Sequence, residues 1–221
     1  MGLNHGTNIV KDGLVFLVDP INPRSWTGPN SSTVNSLRGN ITGSIVNDTS
    51  GSYGDDKSFA FDGADDSIDI SQFNLTGNWT ISFWFKVPSY DATIQYAVGF
   101  ELGTGLDGGI FTDYSGVYAN KWGFYRGNAV YPADSALSIG NWHHCVITRT
   151  GNNLAFYADG VTDGSGTNTN NMDIANFRMG ERTDGNWELN GNLSNVQIYN
   201  RALSTQEIKQ NYNALKSRFG L

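Results

Sequence analysis

Carboxylates, histidines and aromatic rings carry whatever chemistry this chain can perform. Glutamate is scarce: Glu101, Glu181, Glu188 and Glu207 stand against 17 aspartates. Glycosidic cleavage needs two carboxyl groups about 5–5.5 Å apart for retention or about 6.5–9.5 Å for inversion. The four glutamates offer no such pair, and Glu207 is already used by a helix cap. His143 and His144 are adjacent, so in a strand they point to opposite faces and cannot jointly ligate one metal. The only cysteine, Cys145, lies in the apolar stretch WHHCVITR and reads as a buried thiol used as a small hydrophobe. His-Glu-x-x-His, Gly-x-Ser-x-Gly and the phosphate-cradling Lys loop are all missing. The expectation is a protein that is not an enzyme.

Two kinds of binding chemistry are better represented. Calcium takes six to eight oxygens at roughly 2.3–2.6 Å, and two clusters are candidates: Asp62, Asp65 and Asp66, and Asp184, Asn186 and Glu188. Neither has EF-hand spacing, and turn-forming carboxylates account for both without a metal. No cofactor is required. For a sugar, Trp122, Tyr125, Tyr131 and Trp187 are candidate stacking rings, with Asn128 and Asn186 as hydrogen-bonding partners. The alternative for these rings is burial in a core or an interface, and period-two placement does not separate the two.

Composition narrows the partners. The formal charge is −7, from 14 Lys plus Arg and 21 Asp plus Glu. No basic stripe exists to displace counterions from a phosphate backbone, so nucleic acid is not an expected partner. No apolar run approaches the roughly 20 residues of a membrane-spanning helix. The opening MGLNHGTNIVKDGLVFLVD lacks the basic and continuously apolar regions of a signal peptide, so synthesis in the cytoplasm is expected.

The elements that must position these residues are mostly strands. Gly and Asn number 27 and 25 of 221 residues, and both favour turns and tight hairpins. Between the turns, NWTISFWFKV places Trp79, Ile81, Phe83, Phe85 and Val87 on one face, with Trp84 on the other facing either a groove or a second packed layer. GNWHHCVITRTGNNLAFYADGV reads as a hairpin whose first arm is apolar on both sides. Gly103–Gly109 reads as a crossing, 27–58 as the least ordered stretch and 162–173 as a polar loop. Helix logic appears only at the end. Ser204 with Glu207 makes a capping box, Leu203 with Ile208 a hydrophobic staple, and a helix over 205–216 follows. About a dozen strands with one short C-terminal helix predict an all-β, two-sheet antiparallel sandwich in a single domain, 1–221.

The segments FDGADDSIDI (61–70), NWTISFWFKV (78–87), GNWHHCVITRTGNNLAFYADGV (140–161) and LNGNLSNVQIYNRALSTQEIKQNYN (189–213) resemble the LamG-like, concanavalin A-like jelly-roll family. The likeness covers roughly residues 13–215. It implies a jelly roll, with calcium bound at the rim in some members. Retaining glucanases of this broad fold carry Glu-x-Asp-x-x-Glu on one strand face, and Glu181 with Glu188 does not form that pattern. GLVFLVDPINPRSW and NYNALKSRFG are similar to a narrower group found in structural proteins of tailed phages, those of marine cyanobacteria in particular. That second resemblance implies a virion structural protein, a capsid decoration or tail-associated component made in the host cytoplasm. Its expected partners are other virion proteins and its own copies, in a trimer for instance, with residues 1–12 as a docking arm. Adhesion to a cell-surface glycan joins that role, and a free lectin-like module is the alternative.

Overall fold

A computed structural model describes residues 8–47, 58–71, 73–89, 94–102, 106–114, 118–127 and 129–221. The strands run in chain order as β1 Leu14–Val18, β2 Thr33–Asn35, β3 Thr42–Val46, β4 Phe59–Asp62, β5 Ser67–Ile70, β6 Trp79–Lys86, β7 Gln95–Leu102 and β8 Leu106–Tyr114. They continue as β9 Tyr118–Arg126, β10 Ala129–Ala136, β11 His143–Thr150, β12 Asn153–Ala158, β13 Val161–Thr167, β14 Ile174–Met179 and β15 Asn190–Tyr199. Helix α1, Thr205–Leu215, and a 3-10 turn, Lys216–Phe219, end the chain. One sheet has the order β1-β15-β6-β11-β12-β13, with β4 also pairing β15; the other has the order β10-β9-β8-β7-β14-β5-β3-β2. Every strand pairing is antiparallel, so the expected sandwich with a terminal helix is what the chain forms. No helix among the described residues is long and apolar enough to cross a membrane.

The period-two pattern of β6 decides the core. Trp79, Ile81, Phe83, Phe85 and Val87 point between the sheets and meet Phe100, Phe124, Phe156, Phe177 and Ile198. Cys145 joins this core, and burial pushes its thiol up, away from the reactive thiolate. The outer face of β6 is also dry, because the C-terminal segment folds back over it. Trp84 stacks on Phe219 at 4.1 Å and on His144 at 5.1 Å between centroids, and Trp142 completes the cluster. Trp84 therefore faces a second packed layer. Ser204 accepts from the Glu207 amide while Glu207 reaches back to the Ser204 backbone, so the capping box forms as expected.

Two readings are corrected. Residues 161–167 form a strand, because Gly166 lets the Tyr131 ring lie where a Cβ would come within 2.6 Å. Gly108 and Gly109 belong to β8 and not to a crossing, while 103–105 lie outside the described residues. Of the segment expected as a docking arm, residues 1–7 lie outside the described residues, and Asn8 and Val10 contact the chain's own helix. The Val10 amide donates to Asn211 Oδ1 at 2.8 Å, and Gln210 Nε2 donates to the Asn8 carbonyl at 2.7 Å.

Beneath that layer His144 is fully buried, with Nε2 2.8 Å from Ser82 Oγ. Burial lowers its pKa from 6.5 to about 4 against the opposing pull of Asp159. The unfolded chain thus binds a proton between pH 6.5 and 4 that the folded chain refuses. The contribution of His144 to stability is full above about pH 6.5 and falls by about 3 kcal/mol as the pH drops toward 4. Thermal melts at pH 7 and pH 4.5 should show a smaller decline for His144→Gln than for the unaltered chain.

Candidate functional site

The connection between β14 and β15 builds a depression on the rim. It leaves the sheet at Gly180, whose amide donates to Ala97 O at 3.1 Å, and crosses the outer face of β7. Gly99 is required beneath it, since a Cβ there would lie 2.6 Å from Arg182 Cα. A tight turn follows, with the Arg182 amide donating to Asn186 O at 3.1 Å and the Gly185 amide to Arg182 O at 3.0 Å. Trp187 comes next in the left-handed region, at φ +67°, and its carbonyl accepts the Tyr96 amide at 2.9 Å. A non-glycine residue in that region costs roughly 1–2 kcal/mol, which the surrounding hydrogen bonds sustain. Leaving the backbone this way keeps the indole 39% exposed, while Val161, Ile139 and Leu221 are the only large apolar side chains more open among the described residues.

Arg182 braces the indole from one side, with its guanidinium carbon 5.9 Å from the Trp187 centroid and 5.9 Å from that of Tyr96. Asp184 holds the guanidinium in place through Nε–Oδ1 at 2.8 Å, and this bond keeps the Asp184 carboxyl below its usual range. Trp187, Glu188, Asn190, Gln95, Ile94, Asp62 and Gly63 surround a depression of about 380 Å³. Strand register brings the two halves together: Asp62 pairs with Asn190 across β4 and β15, and the Asn190 amide donates to Gln95 Oε1 at 3.0 Å.

The first acidic cluster converges here. One ligand oxygen from each of Asp62, Asp65 and Asp66 lies within 4.8 Å of the others, a spacing that suits calcium while supplying three of its six to eight donors. Two of these carboxylates also hold the turn, Asp66 Oδ2 accepting the Asp62 amide at 3.1 Å and Asp62 Oδ1 the Ala64 amide at 2.8 Å. Two members of the second cluster, Asp184 and Asn186, are engaged with one another and with Arg182. Asp184 is taken by Arg182, Asn186 Nδ2 turns to the Asp184 carbonyl at 3.3 Å, and Glu188 lines the depression.

The expected aromatic platform is dispersed. Trp122 is a core residue, 1% exposed, with Nε1 donating to Asp163 Oδ2 at 3.1 Å and its ring edge-on to Phe156. Tyr131 packs against the core. Tyr125 sits half-buried on the outer sheet face, edge-on to Tyr96. Asn128 lies outside the described residues. Of the four candidate rings Trp187 is the exposed one, and Asp62, Gln95 and Asn190 are neighbours that sequence spacing did not supply.

The remaining glutamates are engaged elsewhere. Glu181 Oε1 accepts from Arg178 Nη1 at 2.6 Å, and burial raises its pKa despite that partner. Glu101 accepts from Asn176 at 2.7 Å, and Arg201 holds Glu207 down to about 2.

A family model described as the concanavalin A-like lectin/glucanases superfamily matches residues 62–209. No curated protein matches the sequence. Among solved structures, Trypanosoma rangeli sialidase in complex with the inhibitor DANA superposes with a TM-score of 0.70 at 16% identity, over 95% of this chain and 34% of the sialidase. This chain therefore spans about a third of that protein's length. Domain 4 of AbnA, an extracellular arabinanase from Geobacillus stearothermophilus solved with arabinotriose, gives 0.63 at 16% identity, over 92% of this chain and 100% of that domain. The binding domain of botulinum neurotoxin serotype G gives 0.63 at 13% identity, over 90% and 50% of the two chains. At these identities the likeness is one of fold.

The Asp66 turn is directly testable. Asp66→Ala withdraws the acceptor from the Asp62 amide, and an expected loss of about 1–3 kcal/mol is read by urea unfolding in EDTA, which removes any contribution from metal.

Proposed function

The chain belongs to the concanavalin A-like lectin/glucanases superfamily, and from that premise we propose that it is a carbohydrate-recognition domain. The observation that carries this reading is Trp187, an open indole fixed by an unfavourable backbone conformation beside Asp62, Gln95, Glu188 and Asn190. An apolar ring face against a sugar's C–H surface, ringed by amide and carboxylate acceptors for its hydroxyls, is the chemistry of saccharide binding. The fold's occurrence in a domain solved with arabinotriose supports it. Binding is preferred over glycosidic cleavage because Glu101, Glu181 and Glu207 are each committed to another side chain. Calcium belongs to the proposal only at Asp62, Asp65 and Asp66, as a brace for the turn beside the sugar.

Screening the protein against a glycan array, followed by calorimetric titration of the best ligand with and without EDTA, tests this reading. Trp187→Ala should weaken binding about 10–100-fold, the equivalent of about 1.4–2.8 kcal/mol. Trp122→Phe, buried on the other side of the sheet, should leave affinity within twofold. An array with no saturable binder would overturn the proposal.

The virion reading rests on the sequence likeness of 13–26 and 211–220 to phage structural proteins. It places the domain on a particle, in contact with other virion proteins or its own copies, where glycan recognition would serve adhesion. Peptide identification on purified particles should find the chain; its absence from intact virions removes this part of the proposal.

A further inference from the structure

His143 has a role on the same rim that glycan recognition does not use. Its Nε2 lies 2.9 Å from Ser138 Oγ, and its Nδ1 lies 2.9 Å from Asp159 Oδ2. The other oxygen of Asp159 accepts the His144 amide at 2.8 Å, so the carboxylate is held from both ends. Asp159 and Gly160 both have positive φ, at +52° and +77°, forming the tight Asp-Gly turn that links β12 to β13. The histidine ring is 14% exposed, whereas Ser138 is open to solvent.

The protons in this chain of contacts are fixed by elimination. An ionised carboxylate only accepts hydrogen bonds, so His143 Nδ1 carries the hydrogen. Its Nε2 lone pair then faces the Ser138 hydroxyl, which donates to it. The Ser138 carbonyl, 3.3 Å from Nε2, becomes a second acceptor once that nitrogen is protonated. Asn141 Nδ2 donates to Ser138 Oγ at 3.1 Å and to the Ile139 carbonyl at 3.3 Å, which fixes the hydroxyl oxygen beside the imidazole. A nucleophile, a base and a group that orients the base are parts of an acyl-transfer site, which is recognised by geometry and not by sequence order.

We propose that Ser138, His143 and Asp159 form a site that hydrolyses exposed carboxylic esters, with a short acyl group on a sugar hydroxyl as the substrate class. Ser138 Oγ bonds to the ester carbonyl carbon while His143 Nε2 takes its proton, and the C=O electron pair moves onto oxygen. Collapse of this intermediate breaks the bond to the alcohol oxygen, which leaves with the proton from Nε2. Water then attacks the acyl-Ser138 ester, giving a proton to Nε2, and Ser138 departs with it as the carboxylic acid is released. Asp159 keeps the imidazole in the required tautomer throughout.

The location fits a sugar ester. Asp62 pairs with Asn190, Asn192 with Lys86, and Phe85 with His143. Glycan depression and serine thus share one end of the sandwich, and β4 and β11 are three strand spacings apart, about 14 Å. Only the choice of sugar esters as substrate rests on the proposed glycan reading.

The test incubates the full chain with a fluorophosphonate probe and with 4-nitrophenyl acetate. A covalent adduct mapped by mass spectrometry to Ser138 is expected, with ester turnover about 100-fold above that of Ser138→Ala. Asp159→Asn should lose most of that turnover while retaining its melting temperature, which separates tautomer control from bracing of the turn. Labelling is read on the unaltered chain, so it stands even if a variant is poorly folded. No adduct at Ser138, together with equal turnover by the unaltered chain and Ser138→Ala, would reduce the three contacts to a brace between two turns. Glycan binding through Trp187 would be untouched by that outcome.

Discussion

Strand β6 must be covered on both faces, and much of the molecule answers to that requirement. Its inward side chains close the core against the opposite sheet, while Trp84 and Ser82 on the outward side sit at 0% and 1% exposure. A fully buried aromatic side chain removes on the order of 150–250 Å² from water, so leaving Trp84 open would forfeit several kcal/mol. The cover is the C-terminal segment. Its position is fixed by Thr80, whose hydroxyl donates to Arg201 O and accepts the Leu203 amide, and by Arg218, which donates to Asp19 and Ser194. Asn211, Gln197 and Tyr199 form a buried polar network that also holds Val10, joining both chain ends to the centre of one sheet.

This arrangement leaves the sandwich rim as the place where polar groups can meet without distorting the core. Central strands β15, β6 and β11 are pinned by packing on two faces, so the residues at their ends are held in register. The depression around Trp187 draws on that order: β4 and β15 bring Asp62 to Asn190, and Gln95 at the start of β7 holds the Asn190 amide. The Ser138–His143–Asp159 contacts depend on it equally, because β11 and β12 pair through Cys145 and Ala158, one residue before Asp159. Glycine serves the same end at Gly99, where the β14–β15 connection lies directly on the sheet.

Much of the fold was legible in the sequence. Alternating Trp79, Ile81, Phe83 and Phe85 could only be a strand with one buried face, and Ser204 with Glu207 marked the helix start through local hydrogen bonds. Where the reading failed, the deciding contact was distant: residues 161–167 form a strand in which Gly166 admits Tyr131 from the other sheet. The candidate site was legible only in pieces. Asp62, Asp65 and Asp66 were visible because a short turn gathers them, whereas Trp122 and Trp187 look equivalent in a strand-and-turn sequence.

By itself, then, the sequence determined the periodicities, the turns, the helix cap and the abundance of aspartate over glutamate, since each depends on residues within a few positions of one another. Tertiary structure alone decided which ring is buried and which is open, because that depends on what packs from another strand. Trp122 finds Asp163 and Phe156 across the core; Trp187 lies against Arg182 and lines the rim depression, exposed among the described residues. The pairing of His143 with Ser138 and Asp159 was decided in the same way, by two turns whose separation is set through the register of the strands beneath them.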